Sequence, residues 1–129
     1  MAILDHLLVL TDDIDATRDF WCEALDLDVG ERPPLEFPGY WLYGADGGPC
    51  VHVAERAAYE QHSQRIGIPA SPGPVEHVAF DAPDYDAALG RMALGGIRVH
   101  ENEVPGLMRQ LFVEDPNGVK IEINVKEQP

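Results

Sequence analysis

The chain has 129 residues, with 9 basic against 23 acidic side chains for a formal charge of −14, and 45% of its residues are hydrophobic. That length supports one domain able to bury roughly two-thirds of its unfolded surface, and the charge excludes nucleic acid and anionic lipid as partners. The apolar runs fall far short of the roughly 20 residues that span a bilayer. "MAILDHLL" carries no basic n-region or cleavage site and the two cysteines make no disulfide framework, so a cytoplasmic address is expected.

Residues 3–10, "ILDHLLVL", read as a strand with one embedded histidine. A helix follows, capped by Asp12 or Asp13, with Ile14, Thr17, Phe20, Trp21, Ala24 and Leu25 as its expected core stripe. Short strands near 27–32 and 40–44 flank the proline-rich "RPPLEFPG", and the turn "ADGG" leads into a strand at 49–54. Cys50 shares that strand's parity with His52 but reads as a small core residue. Residues 55–74 read as a linker with a turn of helix. The order then returns: strand 75–81, helix from Asp84 to about Leu94 with Tyr85, Ala88, Leu89 and Met92 inward, strand 97–101, strand 108–114, turn "DPNG" and strand 118–125.

The two halves are copies. "DHLLVLTDDIDATRDF" from Asp5 aligns without a gap on "EHVAFDAPDYDAALGR" from Glu76, which pairs His6 with His77 at an offset of 71. "ADGGPCVHVAE" aligns on "DPNGVKIEINV" at an offset of 70, which pairs His52 with Glu122. The four potential ligands therefore form two equivalent pairs, first strand with last strand in each module. Parity places Val119, Ile121, Ile123 and Val125 on one face of the final strand and Lys120, Glu122 and Asn124 on the other. His52 stands opposite Val51 and Val53, and His77 opposite Val78 and Phe80, so each sheet should have its helix behind and a polar concave face in front. The first strand is apolar on both faces, and parity leaves His6 unoriented. His62 and His100 have no partner of the right type in the repeat and read as surface residues.

A tandem strand-helix-three-strand repeat with histidine on each first strand, ending in "EDPNGVKIEI", resembles the vicinal oxygen chelate superfamily, which includes glyoxalase I, fosfomycin-resistance thiol transferases, extradiol dioxygenases and bleomycin-resistance proteins. The resemblance spans residues 3–125 and implies an α+β fold, a single domain over 1–129 in which modules 3–54 and 75–125 curl into an incomplete barrel. It further implies one divalent ion in the cup, often across a homodimer interface, with His6, His77 and Glu122 as ligands and His52 at the variable fourth position. Imidazole and carboxylate donors suit Zn, Ni, Co, Mn or Fe.

The chemistry implied is polarisation of substrate oxygens on the metal, with an enolate or oxyanion stabilised there. Glyoxalase-type lyases usually carry Glu or Gln where this chain has His52, so proton transfer falls to Glu122 itself or to His52. Tyr40, Trp41, Gln110 and Phe112 are candidates to line the cup and contact a small-molecule substrate. Two other readings stay open: an extradiol dioxygenase, for which His52 fits and Phe112 replaces the usual tyrosine, and a bleomycin-resistance-like binding protein, which the acidic charge favours and the four ligands oppose. Fosfomycin transfer is disfavoured, since Gln110 and Phe112 stand where hydroxyls are needed and no Arg follows Glu122.

Overall fold

Each helix start in the repeat is set by an aspartate at the same repeat position. In the computed structural model, which describes residues 1–114 and 119–127, the Asp13 carboxylate accepts from the Ala16 N–H at 3.0 Å and the Asp84 carboxylate from the Ala87 N–H at 3.0 Å. Those bonds satisfy donors that the first helical turn leaves open. The chain divides into two units, His6–Glu76, and His77–Pro129 together with Met1–Asp5. The expected "DPNG" turn at 115–118 lies outside the described residues.

The first unit takes in most of β1 (Ile3–Thr11), then α1 (Ile14–Leu25), β2 (Asp28–Gly30), β3 (Gly39–Tyr43), β4 (Pro49–Glu55) and α2 (Arg56–Ile66). Its strands lie in the order β2-β3-β4-β1, antiparallel except for the parallel β1–β4 pair. Behind the sheet, Ile14, Trp21 and Cys22 pack on Val9, Leu42, Val51 and Val53. Part of the expected α1 stripe is corrected here: Phe20 and Leu25 are 67% and 58% exposed, and Ala24 is exposed too. Positions 14, 21 and 22 fall on one side of a 3.6-residue helix, and 20 and 24 are turned well away from it.

Residues 55–74 are also corrected, for they contain the three-turn helix α2. Its Tyr59 joins Leu8, Leu10 and Ala54 in a second cluster with Phe37 and Ala70 against it. Only Tyr59 and Ser63 of α2 are buried, too few apolar positions to register as a periodic stripe.

The second unit repeats the plan with β5 (Val75–Asp81), α3 (Tyr85–Leu94), β6 (His100–Val104), β7 (Met108–Glu114) and β8 (Lys120–Lys126). The order is β5-β8-β7-β6, again with one parallel pair, β5–β8. Tyr85 and Ala88 are buried with Ala82, Leu111 and Ile123, and Leu89, Met92, Ile121 and Val125 pack against them. Each well-buried aliphatic side chain of this kind contributes roughly 1.5–3 kcal/mol. Val119, expected in the same row, precedes the strand and is 45% exposed. β6 starts three residues later than expected, because Gly96 takes a positive φ of 65° and the Ile97 N–H bonds back to the Met92 carbonyl, which keeps the chain turning.

Candidate metal centre

Along β8 the polar row is buried at least as deeply as the apolar one: Lys120, Glu122 and Asn124 are 6%, 7% and 3% exposed. A carboxylate removed from water needs donors. One oxygen of Glu122, Oε2, accepts from Asn124 Nδ2 at 2.8 Å, and the other, Oε1, lies 3.6 Å from Nε2 of His77. The parallel register aligns Ala79 with Glu122, so His77, two residues earlier on β5, shares that face. His77 is itself buried, at 6% exposure.

Asn124 is held in turn. The ladder aligns Asn102 of β6 with Gln110 of β7, and Gln110 with Asn124 of β8, in one row across three strands. Asn102 Nδ2 donates to Gln110 Oε1 at 2.7 Å, and Gln110 Nε2 donates to Asn124 Oδ1 at 3.0 Å. Phe112 is aligned with Glu122 and buried on the same face. Gln110 and Phe112, the expected substrate contacts, thus lie on the face of the sheet that carries Glu122. The amide row itself was not read from the sequence. Its signal was there in parity, since 110 matches 112 and 124 matches 122, but the pairing of β6 with β7 had to be known.

In the first unit the histidines form a stack. His6 and His52 rings lie 3.7 Å apart at 13°, and Trp41 lies on the other side of His52 at 4.2 Å and 9°. The register explains it, for His52 is aligned with Trp41 on β3 and with Leu8 on β1, and His6 has the parity of Leu8. This orients His6, which the sequence alone left open. Trp41 also borders a cleft of about 440 Å³ with Glu31, Arg32, Pro33 and Tyr43. Burial pushes the Arg32 guanidinium below its ordinary pKa, and its Nη2 donates to the Phe37 carbonyl at 2.7 Å.

Tyr40 is a correction. One residue from Trp41, it points to the opposite face, where its hydroxyl donates to Asp15 at 2.5 Å and Arg18 lies 4.6 Å above its ring. The bond to Asp15 raises the phenol pKa. Cys50 likewise leaves the His52 face: a register shift in the β3–β4 pair turns it onto the core behind the sheet, and both cysteines are free. His100 is exposed, and His62 is three-quarters buried against Glu36, its Nδ1 3.0 Å from that carboxylate.

The chain matches the model of the Glyoxalase/Bleomycin resistance protein/Dioxygenase superfamily over residues 3–123. It belongs to that superfamily. Methylmalonyl-CoA epimerase from Mycobacterium tuberculosis is similar in structure, with a TM-score of 0.70 at 17% identity over 97% of this chain and 88% of that one. A Streptomyces coelicolor methylmalonyl-CoA epimerase variant, in complex with 2-nitronate-propionyl-CoA, gives 0.62 at 21% identity over 98% of each chain. The 2,3-dioxygenase LapB from Pseudomonas sp. KL28 gives 0.68 at 14% identity, with 98% of this chain covering 41% of that protein. At these identities the likeness establishes the fold alone. No curated protein sequence matches the chain.

His6, His77 and Glu122 are each buried, and imidazole and carboxylate donors of this kind suit a divalent metal ion. The set fits a divalent cation for a further reason. Buried titratable side chains are costly unless a charge or hydrogen bonds offset the lost hydration, and a bound cation would supply such a charge beside the buried His77 and Glu122. Among the described residues no helix is long and apolar enough to cross a membrane.

Proposed function

We propose that this member of the superfamily is a metal-dependent lyase or isomerase of glyoxalase type, in which His6, His77 and Glu122 hold one divalent ion, Zn, Ni, Co, Mn or Fe, and His52 stands beside it. When bound, such an ion polarises a substrate carbonyl and stabilises the enolate or oxyanion that forms. The observation carrying this reading is the buried His77–Glu122 pair, whose repeat equivalents are the stacked His6 and His52.

The chain's own residues divide the remaining work. Glu122 is the anionic donor, fixed through one oxygen by Asn124. His52, wedged flat between His6 and Trp41, is the group suited to move a proton next to the centre, since imidazole exchanges protons near neutral pH. Trp41, Gln110 and Phe112 supply the surface on which a small substrate would lie. The isomerase side of the proposal draws on the fold shared with methylmalonyl-CoA epimerase, whose Streptomyces coelicolor variant is in complex with 2-nitronate-propionyl-CoA. A second reading, ring-opening dioxygenation of a catechol-like substrate, draws on the third imidazole, His52, and on the fold shared with LapB. The −14 charge keeps a bleomycin-resistance-like sequestering role as the reading from outside enzymology.

A homodimer is part of the proposal. Closed two-fold pairs are the commonest small oligomers, and α1 turns Phe20 and Leu25 outward, where a second copy would cover them.

The deciding experiment is metal analysis of protein purified without chelator, followed by turnover assays on 2-oxoaldehyde–thiol adducts, methyl-branched acyl thioesters and catechols. Near one equivalent of metal per chain with turnover of a carbonyl substrate is the expected result. Catechol cleavage selects the dioxygenase, and metal-free protein that binds cationic drugs selects sequestration.

A further inference from the structure

Glu122 ends a row of three side-chain amides, and the chemistry of a carboxylate sets the direction of the whole row. An ionised carboxylate only accepts hydrogen bonds, so Asn124 must present its NH₂ group to Glu122. Its carbonyl oxygen is then left to accept from Gln110, whose own carbonyl accepts from Asn102, at 2.8, 3.0 and 2.7 Å along the row. Every link donates toward Glu122. Gln110 and Asn124 are buried at 9% and 3% exposure, so water is poorly placed to replace a lost link, and Asn102 at the outer end is half-buried on β6.

We propose that Asn102 and Gln110 are positioning residues that act through Asn124 to hold the Glu122 carboxylate in one rotamer, with Oε1 turned to His77. The inference rests on the reading above that Glu122 is a metal ligand. Groups supporting a ligand typically change metal affinity 10–100-fold when altered, and this row does so from two residues away because its polarity is transmitted link by link.

The test uses Asn102→Asp in the full chain with Co²⁺ as probe. Aspartate is nearly isosteric with asparagine but only accepts, so it faces the Gln110 carbonyl with another acceptor. Relief comes by turning Gln110 over, which turns Asn124 over and sets its carbonyl against Glu122. Asn102→Ala removes the outer link without reversing the rest. We expect Asn102→Asp to weaken Co²⁺ binding 10–100-fold and shift the visible Co²⁺ absorption bands, and Asn102→Ala, which loosens the row without reversing it, to weaken binding by a smaller factor. In metal-free protein the side-chain ¹⁵N amide signals of both Gln110 and Asn124 should move in Asn102→Asp. Equal Co²⁺ affinity in the two variants, or an Asn124 amide signal that does not move, overturns the proposal. Native protein that fails to bind Co²⁺ overturns the metal reading instead, and the amide signals then decide the relay by themselves. Should Asn102→Asp fail to fold, Gln110→Met breaks the middle link without charge and must still displace the Asn124 signal.

Discussion

Glu122 meets Asn124 through one oxygen and His77 through the other, so exchanging its charge and exchanging its shape should have separable effects. Glu122→Gln keeps an oxygen for Asn124 to donate to, and leaves Ile121, Ile123 and Val125 packed under α3. The variant should fold, with a melting temperature within a few degrees of the native chain. Its metal affinity should fall by more than the roughly 100-fold that a lost supporting bond costs at most, and turnover should fall with it. Parallel loss of melting temperature and activity would make Glu122 a structural residue.

A second prediction belongs to Glu36, whose pKa is lowered by its bond to His62 and then by Arg65, at 3.0 and 2.8 Å. A carboxylate depressed by folding stabilises above its unfolded pKa of about 4.3 and ceases to as pH falls through the lower folded value. Melting curves of native and Glu36→Gln protein should therefore separate near neutral pH and converge in acid. At this scale the repeat made four residues legible before any geometry was known, because His6, His52, His77 and Glu122 fall in register. The ring stack and the amide row were not legible, since each depends on which residue of another strand sits across the ladder. Tyr40 shows the hazard of judging aromatic residues by type, for its neighbour Trp41 faces the histidines.

Among the elements, α1 and α3 were readable at their starts and α2 was not. The first two open with aspartate caps and carry a stripe, whereas Glu55 before α2 makes no side-chain cap bond and only Tyr59 and Ser63 are buried. Asp13→Ala and Asp84→Ala should each cost about 1 kcal/mol, or about 4 °C in melting temperature for a domain of this size. Chemical denaturation of the two variants checks the first figure, and a value near zero for either would mean that water caps that helix equally well. The shift of β6 has the same kind of origin: a glycine readable as a stop signal was also a turn that consumed three further residues.

For the whole molecule, α2 bears on how copies of the chain assemble. A loose segment of roughly 20 residues would let each module pair with a module of another copy, but 11 of those residues are helix and Tyr59 ties it to β1 and β4. We therefore predict that this segment is not a hinge through which copies exchange modules. Mixing His6→Ala and Glu122→Ala chains, with subunit exchange verified by tagged copies, should restore no activity. Recovery toward a quarter or half of the native rate would establish ligands shared between chains.

The stack of His6, His52 and Trp41 also makes the protein its own optical probe. Of the two tryptophans, Trp21 is packed behind the sheet and Trp41 lies face to face with an imidazole at 4.2 Å. Ring contact of that kind couples indole emission to whatever the imidazole next binds, so adding Zn²⁺, which has no absorption of its own, should change the fluorescence of the native chain with a saturating dose dependence. Trp41→Phe should keep the ring stack and abolish the signal, and Trp21→Phe should leave it intact.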